Sequence, residues 1–150
     1  MREEVGKMLS IRAALAIDED EVVALWRQTG LTVPYNDPYK DFRFAQQGQS
    51  STVLVGHGAK GPLLASVMVG HDGHRGWLYY VAVASNQQRL GIGRCMVKAA
   101  EEWLKGRGIE KMQLMVRETN EQAVAFYEKL GFDVTPRTVM AKWIRNTEKE

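Results

Sequence analysis

The sequence predicts a mixed α/β fold, a sheet antiparallel at the front and parallel at the back with helices against it. Three observations predict it. Ser51–Gly56 and Pro62–His71 are apolar runs separated by the polar segment His57-Gly58-Ala59-Lys60-Gly61, the pattern of a hairpin. Trp77–Ala84, rich in aromatic and β-branched residues, follows the short polar loop Asp72-Gly73-His74-Arg75-Gly76 and extends the meander. A long helical pattern then separates that strand from another apolar run, Met112–Val116. A strand–helix–strand crossover returns parallel, so those two strands form a βαβ unit.

The remaining elements follow from local signals. Met8–Ala13 reads as a first strand. Asp18 is a candidate N-cap for a helix to about Thr29, with Val22, Leu25 and Trp26 on one face and Gly30 at its stop. Tyr35-Asn36-Asp37-Pro38 is a turn, because Pro38 pushes Asp37 out of helical geometry, and a short helix is expected over Pro38–Gln47. The strongest helix runs from Gly91 to about Arg107, where Ile92, Met96, Ala100, Trp103 and Leu104 recur at helical spacing before Gly108. Asn120 can cap a last helix, with Ala123, Phe126, Tyr127 and Leu130 as its stripe and Gly131 at its close. Phe132–Thr135 and Thr138–Ile144 read as final strands. No repeat or linker marks a boundary, so residues 1–150 read as one domain.

Composition removes several function classes. Lys and Arg number 20 against 18 Asp and Glu, a net charge of +2, which gives no support for nucleic-acid binding or a polybasic membrane role. The single cysteine, Cys95, excludes an internal disulfide and fits a reducing compartment. No apolar run approaches the ~18 residues that span a bilayer, and the N-terminal stretch lacks a signal-peptide core. The expectation is a soluble cytoplasmic protein.

The most informative segment is Gln88-Arg89-Leu90-Gly91-Ile92-Gly93, between a strand and a helix. Glycines let backbone approach a ligand, and the free amides of a helix N-terminus favour an anion, with Arg89 and Arg94 adding charge. The segment can therefore cradle a phosphate, or it can be a plain glycine-rich connector. A Rossmann fingerprint needs Gly or Ala where Met96 stands, and the absence of Gly-Lys-Ser/Thr excludes a P-loop.

Gln88-x-x-Gly91-x-Gly93 after a strand resembles the acetyl-CoA pyrophosphate loop of the GNAT N-acetyltransferase superfamily. Asn120-x-x-Ala123-x-x-Phe126-Tyr127-x-x-Leu130-Gly131-Phe132 resembles that superfamily's second signature, and the element order matches its fold. Tyr35-Asn36-Asp37-Pro38, Gly70–Gly76 and Tyr79-Tyr80 look like the bacterial YpeA-like branch. The resemblance implies the acyl-CoA N-acyltransferase fold and direct transfer of an acetyl group from acetyl-CoA to a primary amine. That amine could be a protein N-terminus, a lysine or a small molecule.

The resemblance also implies roles. Backbone along Val81, Ala82 and Val83 would pair with the pantetheine arm where parallel strands splay. Gln88, Arg89, Leu90, Gly91, Ile92, Gly93 and Arg94 would hold the pyrophosphate, and Asn120 and Phe126 would meet the cofactor. Asn120 also suits a simple N-cap. Tyr127 would be the general acid for the leaving thiolate, although its helical stripe equally suits packing. Several family members carry a Glu on the strand that here reads Trp77-Leu78-Tyr79-Tyr80-Val81-Ala82-Val83, and no acid occurs there. His74, oriented by Asp72, could serve as base; so could ordered water, with the loop a plain solvated turn. Tyr35, Asn36, Asp37 and Asp72, with Trp26, would supply aromatic walls and acids for a cationic acceptor, while Trp26 on an apolar helix face also reads as core. No metal is expected, His71 and His74 having no cysteine nearby, and Cys95 reads as structural rather than as an acyl carrier. Two other classes stand beside this reading. One is a catalytically weak CoA-binding sensor, suggested by the missing strand acid. The other is an interaction domain whose edge strand Thr138–Ile144 pairs in a homodimer.

Overall fold

The computed structural model describes residues 9–59, 61–88 and 91–146. They fall into two compact units, one up to Met115 and one from Val116. In the first unit five strands lie in the order β1 (Ser10–Ala13), β2 (Ser51–His57), β3 (Leu63–His71), β4 (Gly76–Val83) and β5 (Met112–Gln113). The pairings are antiparallel from β1 to β4, and β4 with β5 is parallel. The mixed sheet expected from the hairpin and the βαβ pattern is therefore present. The first strand begins at Ser10; Met8, and Lys60 of the hairpin loop, lie outside the described residues.

Strand alternation sorts the core into two faces. Val53 and Val55 of β2 join Val22, Val23 and Trp26 of α1 (Glu19–Gln28) and Phe42 and Ala45 of α2 (Pro38–Gln47). The opposite face receives α3 (Ile92–Lys105), whose buried stripe is Ile92, Met96, Val97, Ala100 and Leu104. Gly76 admits this helix: a Cβ there would sit 2.5 Å from the Leu104 side chain.

Asp18 stands at the N-cap position of α1, but its carboxylate does not cap the helix. It accepts from Arg12 at 2.7 and 3.0 Å and from the Leu15 N–H at 2.7 Å, because β1 ends within reach. The Arg12 bonds hold its carboxyl below the usual range. Asp37 does cap α2, accepting from the Tyr39 and Lys40 N–H groups, with Pro38 in the first turn.

The second unit contains α4 (Glu121–Lys129), capped by Asn120 through a bond from the Ala123 N–H at 3.1 Å. The strands expected at Phe132–Thr135 and Thr138–Ile144 are absent among the described residues, and Met112–Val116 shrinks to Met112–Gln113. A strand exists only through its ladder, and the two C-terminal runs do not pair with each other. Among the described residues, no helix is long and apolar enough to cross a membrane.

Candidate active site

The parallel ladder is short. It consists of Gly76 opposite Met112 and Trp77 opposite Gln113. β4 runs on to Val83, so from Leu78 onward its β5 side has no strand partner among the described residues. The register with β3 shifts in the same stretch, from Met68 opposite Tyr79 to Ser66 opposite Ala82. That shift is a β-bulge, and Tyr80 absorbs it at φ 51°, the one non-glycine residue with positive φ among those described.

The bulge puts Tyr79 and Tyr80 on the same face of the sheet, and both line one cleft. The Tyr80 ring stacks on Trp26 with centroids 3.8 Å apart. Its hydroxyl donates to Asp41 Oδ2 at 2.7 Å, and its carbonyl accepts from Ser66 Oγ at 3.0 Å. Ser66 Oγ in turn accepts from Trp26 Nε1 at 2.9 Å. Burial, reinforced by the Asp41 bond, pushes the Tyr80 hydroxyl well above its ordinary pKa, so it stays a donor.

After β4 a single 3-10 turn, Ser85–Gln87, leads to Gln88, whose side-chain amide donates to the Val83 carbonyl at 3.2 Å. Gly91 is the N-cap of α3 in the left-handed conformation, φ 82°, which favours glycine. Among the described residues no side chain caps this terminus, and its first turn holds no acid, so the amides of Ile92, Gly93 and Arg94 suit an anion. The Ile92 side chain is buried in the core. Ala82 is likewise buried, while Arg94 is exposed. Arg89 and Leu90 lie outside the described residues.

The cleft, of about 1020 Å³, lies on the α1–α2 face at the end of the sheet. Of the residues expected at the acceptor, Tyr35, Asn36 and Asp72 line it. Two others, and the candidate base His74, stand apart. Asp37 spends its carboxylate on the α2 cap. Trp26 is fully buried and forms core rather than wall. His74 is exposed and outside the lining. Asp72 does not orient the His74 ring: its Oδ1 accepts from the backbone N–H groups of His74 and Arg75, at 2.8 and 2.7 Å. Those two bonds keep its carboxyl below the usual range.

Two polar cleft residues were not placed at the acceptor by the sequence reading. Asp41 is one; Pro38 marks Asp37 as the cap, and the next acid one helical turn on is the one that faces the cleft. His71 is the other. Its Nδ1 accepts from the Gly73 N–H at 3.1 Å, so the neutral ring carries its proton on Nε2.

In the second unit Tyr127 packs edge-on against Phe126 and Phe132, centroids 4.9 and 5.5 Å apart. Burial raises its hydroxyl pKa above the ordinary value, so the phenol stays protonated. No group of three His, Cys, Asp or Glu among the described residues could hold a metal ion.

Residues 16–132 match the model of the acetyltransferase (GNAT) family. An acetyltransferase of Yersinia enterocolitica is 33% identical over 134 residues, covering 89% of this chain and 94% of that protein. The solved structure of aminoglycoside N-acetyltransferase AAC(6')-Iy in complex with CoA shares the fold, with a TM-score of 0.78 at 15% identity over 91% of this chain and 95% of that one. The ribosomal-protein-S18-alanine N-acetyltransferase of Escherichia coli has a TM-score of 0.72 at 25% identity, covering 84% of this chain and 78% of that one.

Proposed function

The chain belongs to the acetyltransferase (GNAT) family, and from that premise we propose that it moves an acetyl group from acetyl-CoA directly to a primary amine seated in the cleft. One observation carries this reading. Among the described residues the β5 side of β4 has no strand partner beyond Trp77, and one loop later comes a helix N-terminus with left-handed Gly91 and no side-chain cap. An extended polar arm can add to such a strand edge, and an anion suits such a terminus. The residues present therefore fit acetyl-CoA, which supplies an activated thioester.

Backbone groups of Val81 and Val83 would align the pantetheine arm, and the amides of Ile92, Gly93 and Arg94, with the Arg94 side chain, would hold the pyrophosphate. For Asn120 and Phe126 the second signature's resemblance implies cofactor roles. The acceptor ammonium must lose a proton before it attacks. β4 offers no carboxylate for this. An imidazole is chemically suited, and the Gly70–Gly76 stretch carries two, His71 on the cleft and His74 on the exposed turn. Tyr127, kept protonated by its burial, would donate a proton or hydrogen bond to the leaving thiolate sulfur.

Titration calorimetry with acetyl-CoA, followed by thiol release with an amine panel, tests the proposal. Micromolar binding and amine-dependent release are expected. Tyr127→Phe should lower turnover about 100-fold while still binding acetyl-CoA. No binding at high protein concentration would sink the proposal, and undiminished turnover in Tyr127→Phe would remove the acid from that residue.

A further inference from the structure

We propose that the acceptor is an amine of single positive charge on an apolar or aromatic body, its ammonium held by Asp41; the proposal rests on the acetyltransfer reading above and names the substrate class of that site.

The charge argument starts with Asp41. It is half-buried on α2 and faces the cleft. Its Oδ2 accepts from the neutral Tyr80 hydroxyl at 2.7 Å, and Tyr80 is fixed by its stack on Trp26. No described residue donates to Oδ1, and Asp41 makes no ion pair among the described residues. A carboxylate held in place by a neutral donor keeps its full charge for a ligand cation. Asp72 adds a second, exposed acid to the lining, with Oδ1 bonded to its own turn, and the cation Lys40 lines the same cleft. The two acids and Lys40 leave the lining with one net negative charge, which matches one cationic group rather than the several of a polycation, and Asp41 is the half-buried acid of the pair.

The wall argument fixes the body. Phe44 projects from α2 with 79% of its surface exposed, and Tyr79 is 46% exposed on β4. Met68, Trp77 and Leu31 join them along the cleft. Large apolar side chains left bare in a concavity mark a binding surface, and here the concavity is closed on the polar side by Asp41. Hydroxyl groups of an amino sugar would lose water against these rings. An aryl or alkyl body loses nothing there, and its ammonium can also meet the aromatic faces.

The full-length protein with acetyl-CoA and two amines tests the proposal, 2-phenylethylamine as the apolar probe and glucosamine as the hydroxylated one. The expected result is a kcat/KM about 100-fold or more higher for 2-phenylethylamine. Asp41→Asn keeps an acceptor for the Tyr80 hydroxyl, so the fold is retained. It should raise the KM for 2-phenylethylamine about tenfold or more and leave acetyl-CoA affinity unchanged. Equal or better use of glucosamine would overturn the proposal, as would an Asp41→Asn variant with unchanged KM. If neither amine is turned over, a direct titration of 2-phenylethylamine decides. Saturable binding weakened by Asp41→Asn supports the proposal, and no saturable binding refutes it. The acetyltransfer reading fails separately, through absent acetyl-CoA binding.

Discussion

Ser66 is a fully buried hydroxyl with both of its hydrogen-bonding roles in use. It accepts from the Trp26 indole and donates its one proton to the Tyr80 carbonyl, and so braces a backbone conformation that a tyrosine rarely adopts. Ser66→Ala would leave the indole N–H buried without a partner and free the bulge. We expect a loss of about 1–3 kcal/mol, seen as a lower melting temperature. In a Trp26→Phe background, where no indole is orphaned, the same substitution should cost much less. Equal stability of Ser66→Ala and the parent would show that the chain of bonds does not brace the bulge. At this scale the sequence was partly legible. The burial of Trp26 followed from its spacing with Val22 and Leu25. The turn at Tyr80 did not, because no residue-level signal marks a tyrosine at positive φ. The roles of Asp37 and Asp41 were separable only by seeing which of them the helix start consumes.

Elements were legible where their signals are local. The helix Pro38–Gln47 matches its expected bounds because Asp37 and Pro38 specify its start within the segment itself. Strand lengths were less so, since a ladder partner sets them. β5 stops at Gln113 although the apolar run continues to Val116, and the bulge at Tyr80 bends β4 just beyond the last shared pair. The early parting of these strands and the uncapped start of α3 are what make the loop more than a connector. Gly91 tests this directly. A side chain there would be strained at φ 82° by about 1–2 kcal/mol and would crowd any group approaching the α3 amides. Gly91→Leu should therefore weaken acetyl-CoA affinity about tenfold or more, with a modest fall in melting temperature. Unchanged affinity, measured by calorimetry, would put the anion cradle elsewhere.

Across the whole molecule, order follows the ladder and not the intrinsic preference of the residues. Thr138–Ile144 reads Thr-Val-Met-Ala-Lys-Trp-Ile, as good a strand sequence as β2, yet it forms none. β-propensity measures how well side chains fit a pleated, half-buried surface, and among the described residues no ladder supplies one to this segment. Met140 and Ile144 are 91% and 98% exposed, whereas Val53, Val55, Val67 and Val69 of β2 and β3 are fully buried in a two-sided core. This contrast predicts a hydrogen-exchange map. Amides of β2 and β3 should exchange only through global unfolding, and those of residues 133–146 should exchange with little protection. Alternate protected amides through Thr138–Ile144 would instead reveal a pairing for this segment. The expectation drawn from its sequence alone would then be right, and added protein concentration would tell whether a second copy supplies the partner strand.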